Sequence, residues 1–306
     1  MTNTLLSLCI PTNGILEWVK PVLESIYKNT HINESLYEVI VTDNGSNSNF
    51  AVFMEEISRK HDNLLYKKTQ ANGFLNQIEC FKLAKGEYIK FINHRMKLVD
   101  GSLSYLINFV EKFQKDKPVT YFLNGSLNLP QTSSYNSFDS FMNALSYYSS
   151  WSGGIGIWKE DFLAIKDFND ISNLFPHFVF LTSNMKSDQY IIDNRKLLES
   201  IDDDSSKKGR YNLFYAFAVE YPGILLDLLR KKQISSDTFL HIKHELKGFL
   251  AELYLDFVIR KKKCSYELDG AKENLSVFFD FQDLLVSISK KITRKVLHKV
   301  TVRLKL

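Results

Sequence analysis

Nowhere in the 306 residues is there a run approaching the roughly 18 uninterrupted apolar residues of a membrane span. Met1 is followed by polar Thr2-Asn3-Thr4 and a short apolar stretch, without the basic start and long apolar segment of a secretory signal. Only three cysteines occur, Cys9, Cys80 and Cys264; scattered and odd in number, they argue against a disulfide framework and for a reducing compartment. A cytoplasmic protein is therefore expected. Internal repeats are absent, which removes solenoids and arrays. Neither a G-x-G-x-x-G run nor a P-loop is present, so dinucleotide-binding and ATPase readings lack support. What remains is an ordinary globular composition, 44% apolar and 24% charged, able to bury a sizeable core without staples.

The formal net charge of +4 is small but unevenly spread, with Lys290, Lys291, Arg294, Lys295, Lys299, Arg303 and Lys305 crowding the last stretch. In the same stretch Leu285, Ile288, Ile292, Val296 and Val300 fall on one helical stripe. Apolar residues interleaved with cations are the pattern of an interfacial helix lying on anionic lipid. The expected partner of residues 283–306 is thus an anionic membrane surface, with the protein peripheral at the inner face of the membrane. An oligomerisation helix, and with it a homo-oligomer, is the competing reading. Nothing points to nucleic acid.

Taken in order, residues 5–10 form a short apolar strand stopped by Pro11-Thr12-Asn13-Gly14. Residues 17–27 carry Trp18, Val22, Leu23 and Ile26 at helical spacing. A second strand, 38–42, ends in the turn formers Asp43-Asn44-Gly45-Ser46. Then come a helix over 50–61, a short strand over 64–67, a helix over 73–83 and a buried strand over 88–92 that breaks at Asn93-His94-Arg95. A helix over 102–113 and a strand over 119–123 follow. Alternating β and α units predict an α/β fold, a mostly parallel sheet with helices on both faces. Past an aromatic-studded segment, Trp151-Ser152-Gly153-Gly154-Ile155-Gly156-Ile157-Trp158 reads as a glycine-rich loop entering a strand. From Ser205 the pattern turns helical, over 211–232, 236–260 and from about Phe281. The boundary is placed at the Asp202-Asp203-Asp204 linker, giving domains 1–203 and 204–306.

Strands that drop polar side chains at their carboxyl ends are where open α/β sheets hold ligands. Asp43 can accept hydrogen bonds from a base or ribose, with Thr12 and Asn13 lining the same cleft; a plain turn is the alternative. His241, His244 and Glu245 resemble a zinc signature only loosely, and a surface helix is the better reading.

The run LLSLCIPTNGILEWVKPVLESI resembles the first strand and helix of the family 2 glycosyltransferases, matching at Ser7, Ile10, Pro11, Thr12, Glu17, Ser25 and Ile26. YEVIVTDNGSNSNF resembles the family's second strand, with Asp43 at the nucleotide-contacting aspartate. ANGFLNQIECFKLAKGEYIKFIN resembles its third segment, and the three together span residues 5–100. SGGIGIWKEDF and FPHFVFL are weaker echoes, closest to abequosyltransferase-like enzymes of bacterial surface-polysaccharide loci. The resemblance implies a GT-A fold, with a nucleotide-sugar donor in residues 1–100 and an acceptor in 101–203. A UDP-sugar is the expected donor, and an oligosaccharide or lipid-linked precursor of a cell-surface polysaccharide the expected acceptor. Pro11, Thr12, Asn13, Glu17, Asp43, Asn72, Gly73 and Asn76 would line the nucleotide cleft.

The resemblance also implies a divalent metal on a D-x-D motif after Phe91-Ile92, where this chain has Asn93-His94-Arg95-Met96. Mg²⁺ and Mn²⁺ prefer carboxylate oxygens. The expectation is therefore that no metal is used and that His94 and Arg95, with Lys97, neutralise the diphosphate directly. Metal held by other residues and outright loss of catalysis remain alternatives. For an inverting transfer the resemblance implies an acidic general base in the region of FNDISNLFPHFVF; His177 occupies about that place and is the first candidate, Asp170 the runner-up and Asp188, beyond the segment, the third, with a satisfied core histidine as the other reading of His177. Tyr135, Tyr147, Tyr148, Trp151 and Trp158 serve either as platforms for sugar rings or as core. A catalytically inactive, donor-binding or scaffolding member is the rival function. A nucleotidyltransferase is disfavoured for want of its glycine-rich signature and acidic cluster.

Overall fold

The computed structural model describes residues 4–168, 171–201, 206 and 209–289. Asp170, Asp202, Asp203, Asp204 and the run 290–306 lie outside them. The chain divides into two compact units, one made of Met1–Phe141 and Tyr148–Asp202, the other of Met142–Tyr147 and Asp203–Leu306.

The first unit is a sheet with helices. Strands β1 (Leu6–Thr12), β2 (Tyr37–Asp43), β3 (Leu64–Lys68) and β4 (Tyr88–Phe91) run parallel in the order β3-β2-β1-β4, and the later strand β8 (Gly156–Trp158) adds antiparallel to β4. β1 and β2 are buried along nearly their whole length, as strands covered on both faces must be. Leu6, Leu8 and Ile10 are fully buried, and each contributes on the order of 2 kcal/mol through its removal from water. Helix α1 (Leu16–Tyr27) turns Trp18, Val19, Val22, Leu23 and Ile26 onto the sheet. Helix α2 (Ser48–Ser58) is capped by Asn47, whose side chain accepts from the amides of Asn49 and Phe50. Helices α3 (Asn76–Leu83) and α4 (Ser102–Phe113) complete the cover.

Beyond β8, an antiparallel bridge between Tyr121 and Ile155 reaches strand β6 (Val119–Phe122), which pairs in parallel with β9 (Tyr190–Asp193); β7 (Thr132–Tyr135) pairs antiparallel with β9. Two antiparallel reversals leave β6 and β9 pointing the same way as β1 and β4. The carboxyl ends of β1, β2, β3, β4, β6 and β9 therefore share one edge. A further antiparallel pair joins β5 (Met96–Leu98) to β10 (Leu198–Ser200). This is the mostly parallel α/β fold the sequence predicts.

The second unit is helical. Residues 213–230 form one helix with a π-helical turn at Ala216–Glu220, and α10 (Ser236–Leu253) runs on through a second π-turn to Ile259. The Ser235 hydroxyl caps α10 by accepting from Thr238 N at 3.1 Å. His241, His244 and Glu245 are exposed on α10, as a surface helix requires. Helical residues 281–289 contain only Leu285 and Ile288 of the expected apolar stripe. Leu284 and Ile288 are buried in the fold while Leu285 and Val286 are exposed. Ile292, Val296 and Val300 lie outside the described residues. Among the described residues no helix is long and apolar enough to cross a membrane.

Candidate functional site

The shared carboxyl edge gathers most of the polar residues singled out from the sequence. Asp43 closes β2 with a fully buried carboxylate. Its Oδ1 accepts from Gly45 N at 2.7 Å; its Oδ2 accepts from the Tyr66 hydroxyl at 3.1 Å and pairs with Lys68 Nζ at 2.8 Å. Burial, and then the Asp43 carboxylate, raise the Tyr66 phenol above its ordinary value, so it stays a donor. Register explains the arrangement, since Asp43 sits directly opposite Lys68 in the β2–β3 ladder. Gly45 is required here: a Cβ at that position would lie 1.9 Å from Asn13 O.

Asn76, at the start of α3, ties the strand ends together. Its Nδ2 donates to Thr12 O at 3.1 Å and Thr42 O at 2.9 Å, and its Oδ1 accepts from Thr69 Oγ1 at 2.8 Å. It is 2% exposed, so these bonds replace water for the terminal carbonyls of two parallel strands. Asn44 Nδ2 donates to Ala71 O and Gly73 O, drawing the exposed Asn72-Gly73 turn to the same edge. Asn13 is exposed beside them, Pro11 lies one residue behind Thr12 in β1, and Glu17 is exposed in the first turn of α1.

The break after β4 differs from the expectation. Asn93 Oδ1 accepts from Arg95 N at 3.0 Å, forming a local turn. Thr12 Oγ1 accepts from Gly14 N and lies 2.7 Å from His94 Nδ1. Burial, with the neighbouring Arg95 charge second, lowers His94 to about 4, so it is a neutral imidazole at pH 7. Arg95 is 8% exposed and stacks its guanidinium 4.4 Å from the centroid of the Trp18 ring, which also meets His94 edge-on at 5.0 Å. Lys97 pairs with Glu199 at 2.9 Å across β5 and β10. Where the sequence predicts His94 and Arg95, with Lys97, to meet a diphosphate, the structure places one neutral ring, one cation turned onto an aromatic face and one ion-paired lysine. Nor do these residues fit a divalent metal: the strand end offers amide, imidazole, guanidinium and thioether groups where carboxylate oxygens are wanted. Among the described residues no group of three His, Cys, Asp or Glu side chains could hold a metal ion.

Of the candidate bases, His177 is 2% exposed at the start of α7 (Phe178–Leu181), with Nε2 3.1 Å from Ser149 O. Burial lowers it to about 4, the carbonyl contact opposing only in part. It is a satisfied core imidazole, not one presented to a substrate hydroxyl. Asp188 is exposed but precedes β9, at the amino end of a strand whose carboxyl end faces the site edge. Asp170 lies outside the described residues.

The sequence reading missed several groups at this edge. Lys68 and Tyr66 are placed on Asp43 only by strand register. Asp193, 1% exposed at the carboxyl end of β9, pairs with Arg195 at 2.9 Å and accepts from the Tyr105 hydroxyl. The aromatic candidates separate cleanly. Trp158 is 1% exposed and donates Nε1–H to Pro118 O, so it is core, and the partly buried Tyr147 stacks on Phe249 at 5.1 Å. Trp151 is 39% exposed, with Tyr148 edge-on at 4.5 Å.

No curated protein matches the chain by sequence. Residues 7–137, less than half of the chain, match the family described as Glycosyl transferase family 2. This match supports glycosyl transfer as the chemistry of the chain, and it covers Thr12, Asp43, Asn76 and His94. Among solved structures, S. aureus TarS 1-349 in complex with UDP-GlcNAc aligns with a TM-score of 0.54 at 15% identity, covering 93% of this chain and 82% of that one. A mannosyltransferase from Pyrobaculum calidifontis in complex with GDP-Man and Mn2+ aligns with a TM-score of 0.50 at 13% identity, covering 94% and 87%. A further S. aureus TarS structure aligns over 82% of this chain but only 44% of its own length. At such identities the likeness is one of fold: the chain has the nucleotide-sugar transferase fold these proteins share, joined to a helical C-terminal region.

Proposed function

We propose that the protein is a glycosyltransferase that moves a sugar from a nucleotide-sugar donor to the growing end of a cell-surface polysaccharide, working from the cytoplasmic face of the membrane. One observation carries the reading. Thr12, Asn13, Asp43 and Asn76 stand together at the carboxyl edge of β1 and β2, inside the segment that matches the family. An edge of strand ends rich in hydrogen-bonding groups is where this class of sheet binds nucleotides. Residues 1–203 would then serve as the transferase domain and 204–306 as an appended helical region. A UDP-sugar or a GDP-sugar is the donor class to test, because the compared proteins carry UDP-GlcNAc and GDP-Man. Trp151, the one strongly exposed tryptophan, is assigned to an acceptor or donor sugar ring.

The deciding experiment is thermal-shift titration with UDP, GDP, UDP-GlcNAc and GDP-Man, each with Mn²⁺ or with EDTA, followed by assay of donor hydrolysis. Stabilisation by one nucleotide series, lost in Asp43→Asn, is expected. Absence of any shift with all four ligands refutes the reading. A second reading, a donor-binding member without turnover, is favoured by one observation: His177, first among the expected bases, is sealed in the core. Binding without hydrolysis or transfer would select it.

A further inference from the structure

Lys90 is a cation in an unlikely place. It stands in β4 between fully or nearly fully buried Ile89 and Phe91 and is itself 1% exposed. Among the described residues no carboxylate pairs with it. Its ammonium instead donates to three main-chain carbonyls, Phe91 O at 2.8 Å, Gly153 O at 2.8 Å and Ile155 O at 3.1 Å, and lies 5.0 Å from the centroid of the Phe122 ring. Three donors meet three acceptors, so the charged form is fully satisfied. A neutral amine has two hydrogens and would turn a lone pair toward one of the three oxygens.

Those carbonyls have a common purpose. Lys90 opposes Gly156 in the β4–β8 ladder, and Phe91 N donates to Ile155 O. Residues 151–155 consequently run past the carboxyl end of β4, at the edge that bears Thr12 and His94. With Gly153 and Gly154 adjacent, this segment has little stiffness of its own. It is held from outside: the single Tyr121 hydroxyl hydrogen is shared between Tyr148 O and Trp151 O, and Gly154 packs so closely on the Tyr121 ring that a Cβ would lie 2.0 Å from it. Lys90 supplies the remaining ties.

We propose that Lys90 is a positioning residue, a buried ammonium latch that fastens the 151–155 loop to β4 and so fixes where Trp151 stands at the edge of the site. Its purpose rests on the glycosyl-transfer reading; the latch itself does not. Burial lowers the Lys90 amine to about 7, which places its loss of a proton within the working range of the protein. The charged and titratable groups that face it are few. Arg195 lines the same small cavity of about 10 Å³, together with Asn124, Ile92, Leu106 and Gly153, and its charge is matched by Asp193, which also takes the Tyr105 hydroxyl. Tyr121 lies on the neighbouring strand. From β1 and β8 the register partners are Leu8 and Gly156, which do not titrate.

The test uses the full chain without any nucleotide sugar, so its failure is separable from failure of the functional reading. Amide exchange of residues 151–155, corrected for intrinsic rates, and acrylamide quenching of tryptophan are followed from pH 5.5 to 9. Trp18 and Trp158 are buried at 5% and 1% exposure, so quenching reports chiefly on Trp151, and Trp151→Phe confirms the assignment. The wild type should lose about tenfold in protection of the Gly154 and Ile155 amides as the pH passes through about 7 to 8, the equivalent of one hydrogen bond. Lys90→Met should show the loosened loop at every pH. Lys90→Arg, which stays charged, should hold the loop without the transition. Equal protection in Lys90→Met and wild type at pH 6, or the same pH course in wild type and Lys90→Arg, overturns the proposal. If both variants fail to fold, a wild-type protein without a transition between pH 6 and 8.5 overturns it alone.

Discussion

Replacing His177 with Gln converts a buried imidazole into a measurable difference in acid stability. In the fold His177 is neutral, donating Nε2–H to Ser149 O among Phe175 and Phe178, and its basicity is lowered to about 4. In the unfolded chain it returns to about 6.5. Between these values the unfolded state binds a proton that the folded state does not, so stability rises with pH across the window and is lost as pH falls through it. The full span corresponds to roughly 3 kcal/mol, most of which has gone by pH 4.5. Gln places an N–H donor close to the position of Nε2 without titrating. Urea denaturation of both proteins, read by intrinsic fluorescence at intervals from pH 7.5 to 4.5, isolates this residue because carboxylate effects are common to both. Near pH 7.5 Gln should cost about 1 kcal/mol for imperfect packing among the rings. That deficit should shrink and reverse by pH 4.5. If the stability difference stays constant over the whole range, His177 does not titrate as a buried group and the reasoning fails.

Two further outcomes follow from the strand-end network. Asn76→Ala strips hydrogen bonds from Thr12 O and Thr42 O and should cost about 2–3 kcal/mol in urea titration, with a weaker thermal shift by whichever nucleotide binds. Gly45→Ala drives a methyl into Asn13 O and should lower stability by more than about 2 kcal/mol while abolishing that shift.

The parallel half of the fold was legible because its strands are buried on both faces and bounded by strong turn formers. The 38–42 and 64–67 runs fall within strands observed at Tyr37–Asp43 and Leu64–Lys68, and the 5–10 run starts one residue ahead of the strand Leu6–Thr12. The three-residue strands β5 and β10 were not legible: only pairing between residues a hundred positions apart makes them strands. β7, Thr132–Tyr135, reads as a polar loop, and its extension comes from β9. Helix α11 (Ala271–Phe278) was hidden in a polar stretch that buries Leu275 alone. Within the site, Thr12, Asp43 and Asn76 stood out because they end or start elements. Lys68 did not, since its place on Asp43 depends on register, a tertiary property. Lys90 left a signal that was not used: a lysine inside a strand whose other residues are all apolar or aromatic has to find its partners in the interior.

The end of β4 shows how the absence of one residue type differs from the presence of another. The sequence shows that carboxylates are missing after Ile92, but not where the replacing bases point. In the structure they point inward and sideways: Asn93 closes the turn, His94 reaches Thr12 on β1, and Arg95 lies on Trp18 of α1. The His94 and Arg95 contacts join the end of β4 to β1 and α1, so these two residues act as braces of the strand-end edge. A brace and a phosphate ligand make opposite demands on a cation. Stacked on an indole at 8% exposure, Arg95 offers little of its surface to a diphosphate. Neutral His94 has no charge to offer at pH 7. Under the proposed function, the charge that develops on a leaving diphosphate has to be met by groups other than this pair. Of the cations at the edge, Lys68 pairs with Asp43 while 44% of its side chain stays exposed, which under the same reading makes it the candidate to meet that charge.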